Sequence, residues 1–200
     1  MKRRVINGAA LIAATVAMCG LGIMIPAAAR SQNSNQSGDT NQGSGQRMSL
    51  NSMDTKFMMM AAQGGMAEVA MGRLAAERAS SDDVKRYAQR MVEDHTRANE
   101  ELMQLAATKG VTLPTAPDAK HQAMLTKMGT MTGAAFDREY LKNAGVKDHE
   151  KMQKLFTDES NKGTDPEVKA FAAKTLPVVQ MHLSMARDML KGTGGSNMKM

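Results

Sequence analysis

The stretch Val84-Lys85-Arg86-Tyr87-Ala88-Gln89-Arg90-Met91-Val92-Glu93-Asp94-His95-Thr96-Arg97-Ala98-Asn99-Glu100-Glu101-Leu102-Met103-Gln104-Leu105 decides the fold. Read at alternating four- and three-residue steps, Val84, Ala88, Met91, His95, Ala98, Leu102 and Leu105 form one stripe, while Lys85, Arg86, Glu93, Glu100 and Glu101 lie off it. That period belongs to an α-helix with one buried face. Asp82 or Asp83 starts the helix, and Gly110 stands at the left-handed stop position after Lys109. The stripe is apolar except at His95.

The same period recurs outward. A first helix is expected from Asp54, as N-cap, to Ala79, with Ser80-Ser81 as the turn into the second. After Gly110 come Pro114 and Pro117, a short amphipathic helix over Asp118 to Met128, and a Gly129 to Gly133 loop. A third long helix is expected over Ala134 to Asn161, ending at Gly163. A fourth starts after Thr164 or Asp165 with Pro166 in its first turn and runs to Lys191, kinked but unbroken at Pro177. Four long helices joined short, long, short predict an all-α fold: a ferritin-like four-helix bundle whose crossover contains a short extra helix. An up-down-up-down order stays open, because a long linker permits a crossover without requiring one.

Composition agrees. Hydrophobic residues make up 42% of the 200, yet aromatics are 3% with no Trp, and Met numbers 21. A core of Met, Ala and Leu suits helices and speaks against a β-sandwich. Residues 1–29 read as a signal peptide: Lys2, Arg3 and Arg4 precede an apolar Val5 to Ile25, and Ala27-Ala28-Ala29 forms a small-residue cleavage site. A retained anchor, or lipidation at Cys19, is the alternative. Cleavage removes the only Cys and three basic residues, so the net charge falls from +6 to +3. No disulfide or thiolate metal site then exists, no membrane span remains, and nothing points to nucleic acid. Residues 30–53, rich in Ser, Asn, Gln and Gly, are expected to be a disordered linker, and 192–200 a disordered tail. The domain lies between, at 54–191.

The seams carry the chemistry. The first helix aligns Phe57, Ala61, Gly65, Glu68, Gly72, Ala75 and Ala79; the third Leu141, Gly145, His149, Met152 and Phe156; the fourth Val168, Ala172, Thr175, Val179, His182, Ala186 and Met189. Each long helix thus sets one ionisable group, Glu68, His95, His149 or His182, on its apolar face. Glu68 and His95 stand at nearly one level across the Ser80-Ser81 turn, within about 3 Å at helical rise. His182 is mismatched with His149 by roughly 7 Å about Gly163. Imidazole and carboxylate suit Zn, Fe, Mn or Cu, and Tyr87, Asp94, Tyr140 and Asp148 stand near enough to support them from behind. Adjacent helix positions point about 100° apart, so Asp94 and Asp148 would each have to serve a His of another helix. The same residues equally form a structural hydrogen-bond network without metal. His121, on the crossover helix, is expected at the surface. The glycines Gly64, Gly65 and Gly72 suggest close helix approach or room for a buried group.

These residues carry a resemblance. Gly64-Gly65-Met66-Ala67-Glu68-Val69 with Gly72-Arg73-Leu74-Ala75, then Arg90-Met91-Val92-Glu93-Asp94-His95-Thr96, is similar to the bacterial family called domain of unknown function 4142. Phe136-Asp137-Arg138-Glu139-Tyr140, Asp148-His149, Leu176-Pro177 and His182-Leu183 continue it through the fourth helix. The resemblance implies a ferritin-like bundle exported to the periplasm or outer membrane, and no established reaction. Di-iron ferritin-like proteins carry Glu-x-x-His on two helices, whereas Val92, Val146 and Val179 stand three before the histidines here. Di-iron chemistry is therefore not expected, and no activated nucleophile or catalytic dyad is visible. Three uses remain: a metal-binding envelope or stress protein, an envelope scaffold whose linker keeps the bundle mobile for a protein partner, and, least supported, an enzyme.

Overall fold

The computed structural model describes residues 50–195, with side chains to residue 192. The expected signal peptide, most of the linker and the last residues of the tail lie outside the described residues. The helices are α1 (Ser52–Arg78), α2 (Asp82–Lys109), α3 (Ala119–Gly129), α4 (Gly133–Tyr140), a π-helical segment (Leu141–Asp148), α5 (His149–Lys162) and α6 (Pro166–Gly195). The third long helix is thus one rod from α4 to α5 with a π-helical middle. Such wide turns recur at functional sites. α6 passes Pro177 without a break and continues beyond Gly192.

Most caps follow the sequence. Gly110 adopts φ +69° at the end of α2, and Gly133 φ +64° at the start of α4, both in the left-handed region. Asp118 caps α3, accepting from the His121 backbone N–H at 3.0 Å. Asp165 caps α6, accepting from the Glu167 and Val168 N–H groups. Asp54 corrects the expectation. α1 starts earlier, capped by Asn51, whose Oδ1 accepts the Asp54 N–H at 2.7 Å. Asp54 itself is fully buried, and its carboxylate accepts from Thr164 N, Thr164 Oγ1 and Asp165 N across the bundle.

A matching carboxylate sits at the other end. Asp137 of α4 accepts from Ser80 N, Ser80 Oγ and Ser81 N. Each hairpin turn is therefore clamped by an Asp of the opposite hairpin, which satisfies backbone donors at helix starts. The clamps decide the topology. The start of α4 lies beside the α1–α2 turn, and the start of α1 beside the α5–α6 turn. α2 and α5 thus run parallel, and the chain between them crosses the full length of the bundle. The up-down-up-down alternative is excluded, and the fold is a ferritin-like four-helix bundle.

The core comes in two apolar clusters. One gathers Met71, Tyr87, Met91, Met128, Phe136 and Tyr140; the other Phe57, Met58, Leu102, Phe156, Phe171 and Val179. Met58, Met71, Met91 and Met128 are completely buried, so gap-filling accounts for part of the Met surplus. The three seam histidines and Glu68 lie between the clusters.

Candidate metal centre

Glu68, His95, His149 and His182 are 2%, 5%, 0% and 0% exposed, and they meet. His95 Nδ1 lies 3.0 Å from Glu68 Oε2 and His95 Nε2 3.3 Å from His182 Nδ1. The imidazole centroids are 5.2–5.5 Å apart. The level mismatch of His149 and His182 is closed by side-chain direction. Helical Cα–Cβ bonds lean toward the helix N-terminus, and α5 and α6 are antiparallel, so the two rings lean toward each other.

Each outward ring nitrogen has an acceptor behind it. His95 Nδ1–H donates to Glu68 Oε2, His182 Nε2–H to Asp94 Oδ2 at 3.0 Å, and His149 Nδ1–H to the Ala144 carbonyl at 2.8 Å, inside the π-helical segment. Carboxylates and carbonyls only accept, so these bonds set the tautomers. The nitrogens left facing inward are His95 Nε2, His149 Nε2 and His182 Nδ1. The three histidines offer ligand atoms within 4.8 Å of one another, all buried. Three neutral rings would aim three lone pairs at one point, so the arrangement calls for a cation there, a proton or a metal ion.

Electrostatics point the same way. Burial raises the Glu68 carboxyl, but His95 and then His149 outweigh it and the group is held below its ordinary value. Burial lowers His95, yet the Glu68 charge and hydrogen bond outweigh it and hold the ring above its ordinary value. Burial lowers His149 despite Glu68. Burial, then the neighbouring His95 and His149, push His182 down to about 4. Three buried polar atoms here make no hydrogen bond: Glu68 Oε1, His149 Nε2 and Tyr140 Oη.

The expected residues divide by position. The geometry sets Glu68 behind His95, with Oε1 3.3 Å from His149 Nδ1, rather than among the converging ring nitrogens. Asp94 serves a His of another helix, as its position requires. Asp148 does not reach the seam histidines: it pairs with Lys151 at 2.8 Å and His121 Nε2 at 3.5 Å. His121 is accordingly half-buried, against the surface position expected, and its other nitrogen donates to Asp118. Tyr87 donates to the His182 carbonyl at 3.3 Å and lays its ring edge-on to His182 and Tyr140. The glycines provide room: a Cβ on Gly64 would fall 1.8 Å from Met152 Cε, on Gly65 2.0 Å from Asn99 Oδ1, and on Gly72 2.9 Å from Val92 Cγ2. The Ala144 carbonyl could not be foreseen, because a backbone acceptor has no sequence signature.

The fold and the buried histidine cluster define a ferritin-like bundle with a polar centre and without the di-iron motif. The chain belongs to the family described as Domain of unknown function (DUF4142), which it matches over residues 39–189. No curated protein matches it. Among solved structures it is similar to a DUF305 fragment from Deinococcus radiodurans, at 12% identity and TM-score 0.63, covering 71% of this chain and 97% of that one. It is also similar to a presumed secreted DUF305 protein from Streptomyces coelicolor, at 15% identity and TM-score 0.61, covering 71% and 92%. A third is CopM in the Cu(II)-bound form, at 16% identity and TM-score 0.60, covering 70% and 96%. At these identities the likeness is one of fold. No helix among the described residues is long and apolar enough to cross a membrane.

Proposed function

We propose that this chain is an exported bacterial envelope protein that binds one transition metal ion through His95, His149 and His182, and serves metal handling or envelope stress. One observation carries the reading: three buried imidazoles turn free nitrogens to one point while each outer nitrogen is held by a carboxylate or carbonyl. Metal-ligating histidines are held in this way, which fixes the tautomer and raises ligand basicity. The His95–His182 nitrogen spacing of 3.3 Å is close to the roughly 3.4 Å between two nitrogens on one tetrahedral ion with bonds of about 2.1 Å. A bound ion would supply positive charge to the three lone pairs. Glu68, Asp94 and the Ala144 carbonyl orient the rings, and the two apolar clusters exclude water.

A purely structural network explains less. It leaves His149 Nε2, which faces the point of convergence, buried without a hydrogen bond, at about 1–3 kcal/mol. The fold shared with Cu(II)-bound CopM and with a presumed secreted protein supports the metal and export parts of the proposal. The test is elemental analysis of untagged protein, followed by melting of the stripped chain with added metal. Near one equivalent of metal is expected, lost in His149→Ala. At metal 100-fold above Kd the gain is about 2.7 kcal/mol, or roughly 5–10 °C in Tm. Metal-free protein whose melting ignores Zn, Fe, Mn and Cu would end the proposal.

A further inference from the structure

We infer that the ion reaches the imidazoles from a pocket beneath α3, past the thioether of Met152, and that this passage favours soft monovalent copper, Cu(I). The inference rests on the metal reading above and adds the route and the class of ion.

Two spaces meet at Met152. Outside lies a pocket of about 200 Å³ between α1, α3 and α5, lined by Met60, Gly64, Asp118, His121 and Asp148 among others. Inside lies a cavity of about 20 Å³ that touches Glu68 and His95. Met152 is the one residue that lines both. It is 9% exposed, and its terminal methyl fills the notch left by Gly64, 1.8 Å from where a Cβ would stand. A Met side chain has three soft torsions and no branch, so it swings from such a notch more readily than Leu or Ile. Met152 therefore stands as a movable plug between the outer pocket and the space beside Glu68 and His95.

The pocket wall selects by softness. Its carboxylates are already engaged: Asp118 accepts from His121 Nδ1 at 2.8 Å, and Asp148 pairs with Lys151 and His121. A hard cation finds paired carboxylates there, whereas a soft one finds the sulfurs of Met60, 42% exposed, and Met152. Thioethers suit Cu(I), whereas the ordinary ligands of Zn(II) are Cys, His and carboxylate and do not include Met. Passage is then ligand exchange: a Cu–S bond breaks as a Cu–N bond to a ring nitrogen forms, with no change of oxidation state.

The test measures loading rates of the purified chain, anaerobically, with Cu(I) from a chromophoric chelator and separately with Zn(II). Met152→Leu removes sulfur and leaves a stiffer plug of similar volume, so both ions are expected to load more slowly, Cu(I) by at least tenfold more than Zn(II). Met152→Ala removes the plug, and is expected to speed Zn(II) loading about tenfold. Unchanged Zn(II) affinity in both variants shows intact imidazoles. Equal slowing of the two ions, or wild-type Cu(I) loading, in Met152→Leu overturns the thioether selection, and an unchanged Zn(II) rate in Met152→Ala overturns the route. Wild-type protein that binds no Cu(I) at equilibrium overturns the route, and protein that binds none of Zn, Fe, Mn or Cu removes the metal reading with it.

Discussion

Asp94→Ala separates a ligand-holding role from a structural one. Asp94 Oδ2 accepts the His182 Nε2–H at 3.0 Å and thereby aims Nδ1 at His95. Its side chain is 19% exposed, and its contacts with Arg90 at 3.5 Å and Arg97 at 3.8 Å are surface pairs worth about 0–1 kcal/mol. Fold stability should therefore fall by only about 1–2 kcal/mol, the surface pairs plus one hydrogen bond. Metal affinity should suffer more: losing the carboxylate behind a ligating imidazole costs about 10–100-fold. At a metal concentration that stabilises the wild type by about 2.7 kcal/mol, the variant would gain only about 0.4–1.4. Competition titration against a chelator gives the affinity, and melting with and without metal gives the coupling. Asp94→Asn keeps an acceptor but loses the charge, and should fall between the two. An Asp94→Ala protein that binds metal within twofold of wild type would refute the assignment of His182 Nδ1 as a ligand.

Three other outcomes are expected. Burial first, then the neighbouring Asp54 carboxylate, raise Glu159 from 4.5 to about 7. A raised carboxyl stabilises the fold fully below its unfolded value and loses that contribution as pH climbs through about 7. The shift corresponds to at most about 3 kcal/mol, of which screening at the bundle end leaves about 2; urea titrations from pH 5 to 8 should show this fall in wild type relative to Glu159→Gln, and parallel profiles would contradict it. Asp137→Ala strips three donors of their acceptor at the Ser80-Ser81 turn, and chemical denaturation should report a loss of about 2–4 kcal/mol. Gly145→Ala places a Cβ 2.6 Å from the Ala186 Cβ, forcing α6 from the π-helical segment. Stability should drop by about 1–3 kcal/mol, and metal affinity with it, because His182 rides on α6 and His149, the first residue of α5, is oriented by the Ala144 carbonyl of that segment.

Much of this molecule is legible along the chain. The 3.6-residue period, Gly110 at a stop and Pro166 at a start placed the long helices within a few residues, because those signals act within one turn. The same period put Glu68, His95, His149 and His182 on buried faces, since facing depends only on helical geometry. Asp54 was misread because an Asp before an apolar run is a good N-cap by local rules, while its partners, Thr164 and Asp165, stand 110 and 111 residues away. His121 was misread for the same reason: its burial depends on Asp148 of another helix.

Periodicity and capping, both local, thus determined the helices, the bundle class and the one-per-helix set of polar seam residues. The direction of the crossover, the π-helical segment and the ring nitrogens that face inward were decided only in three dimensions. The physical reason is the origin of the hydrogen bonds. The crossover is set by aspartates that cap turns of the opposite hairpin, and the tautomers of His95 and His182 by carboxylates of neighbouring helices. Glu68 therefore stands behind His95 as an acceptor, because packing, and not residue type, decides which atom of a buried polar group meets its neighbours.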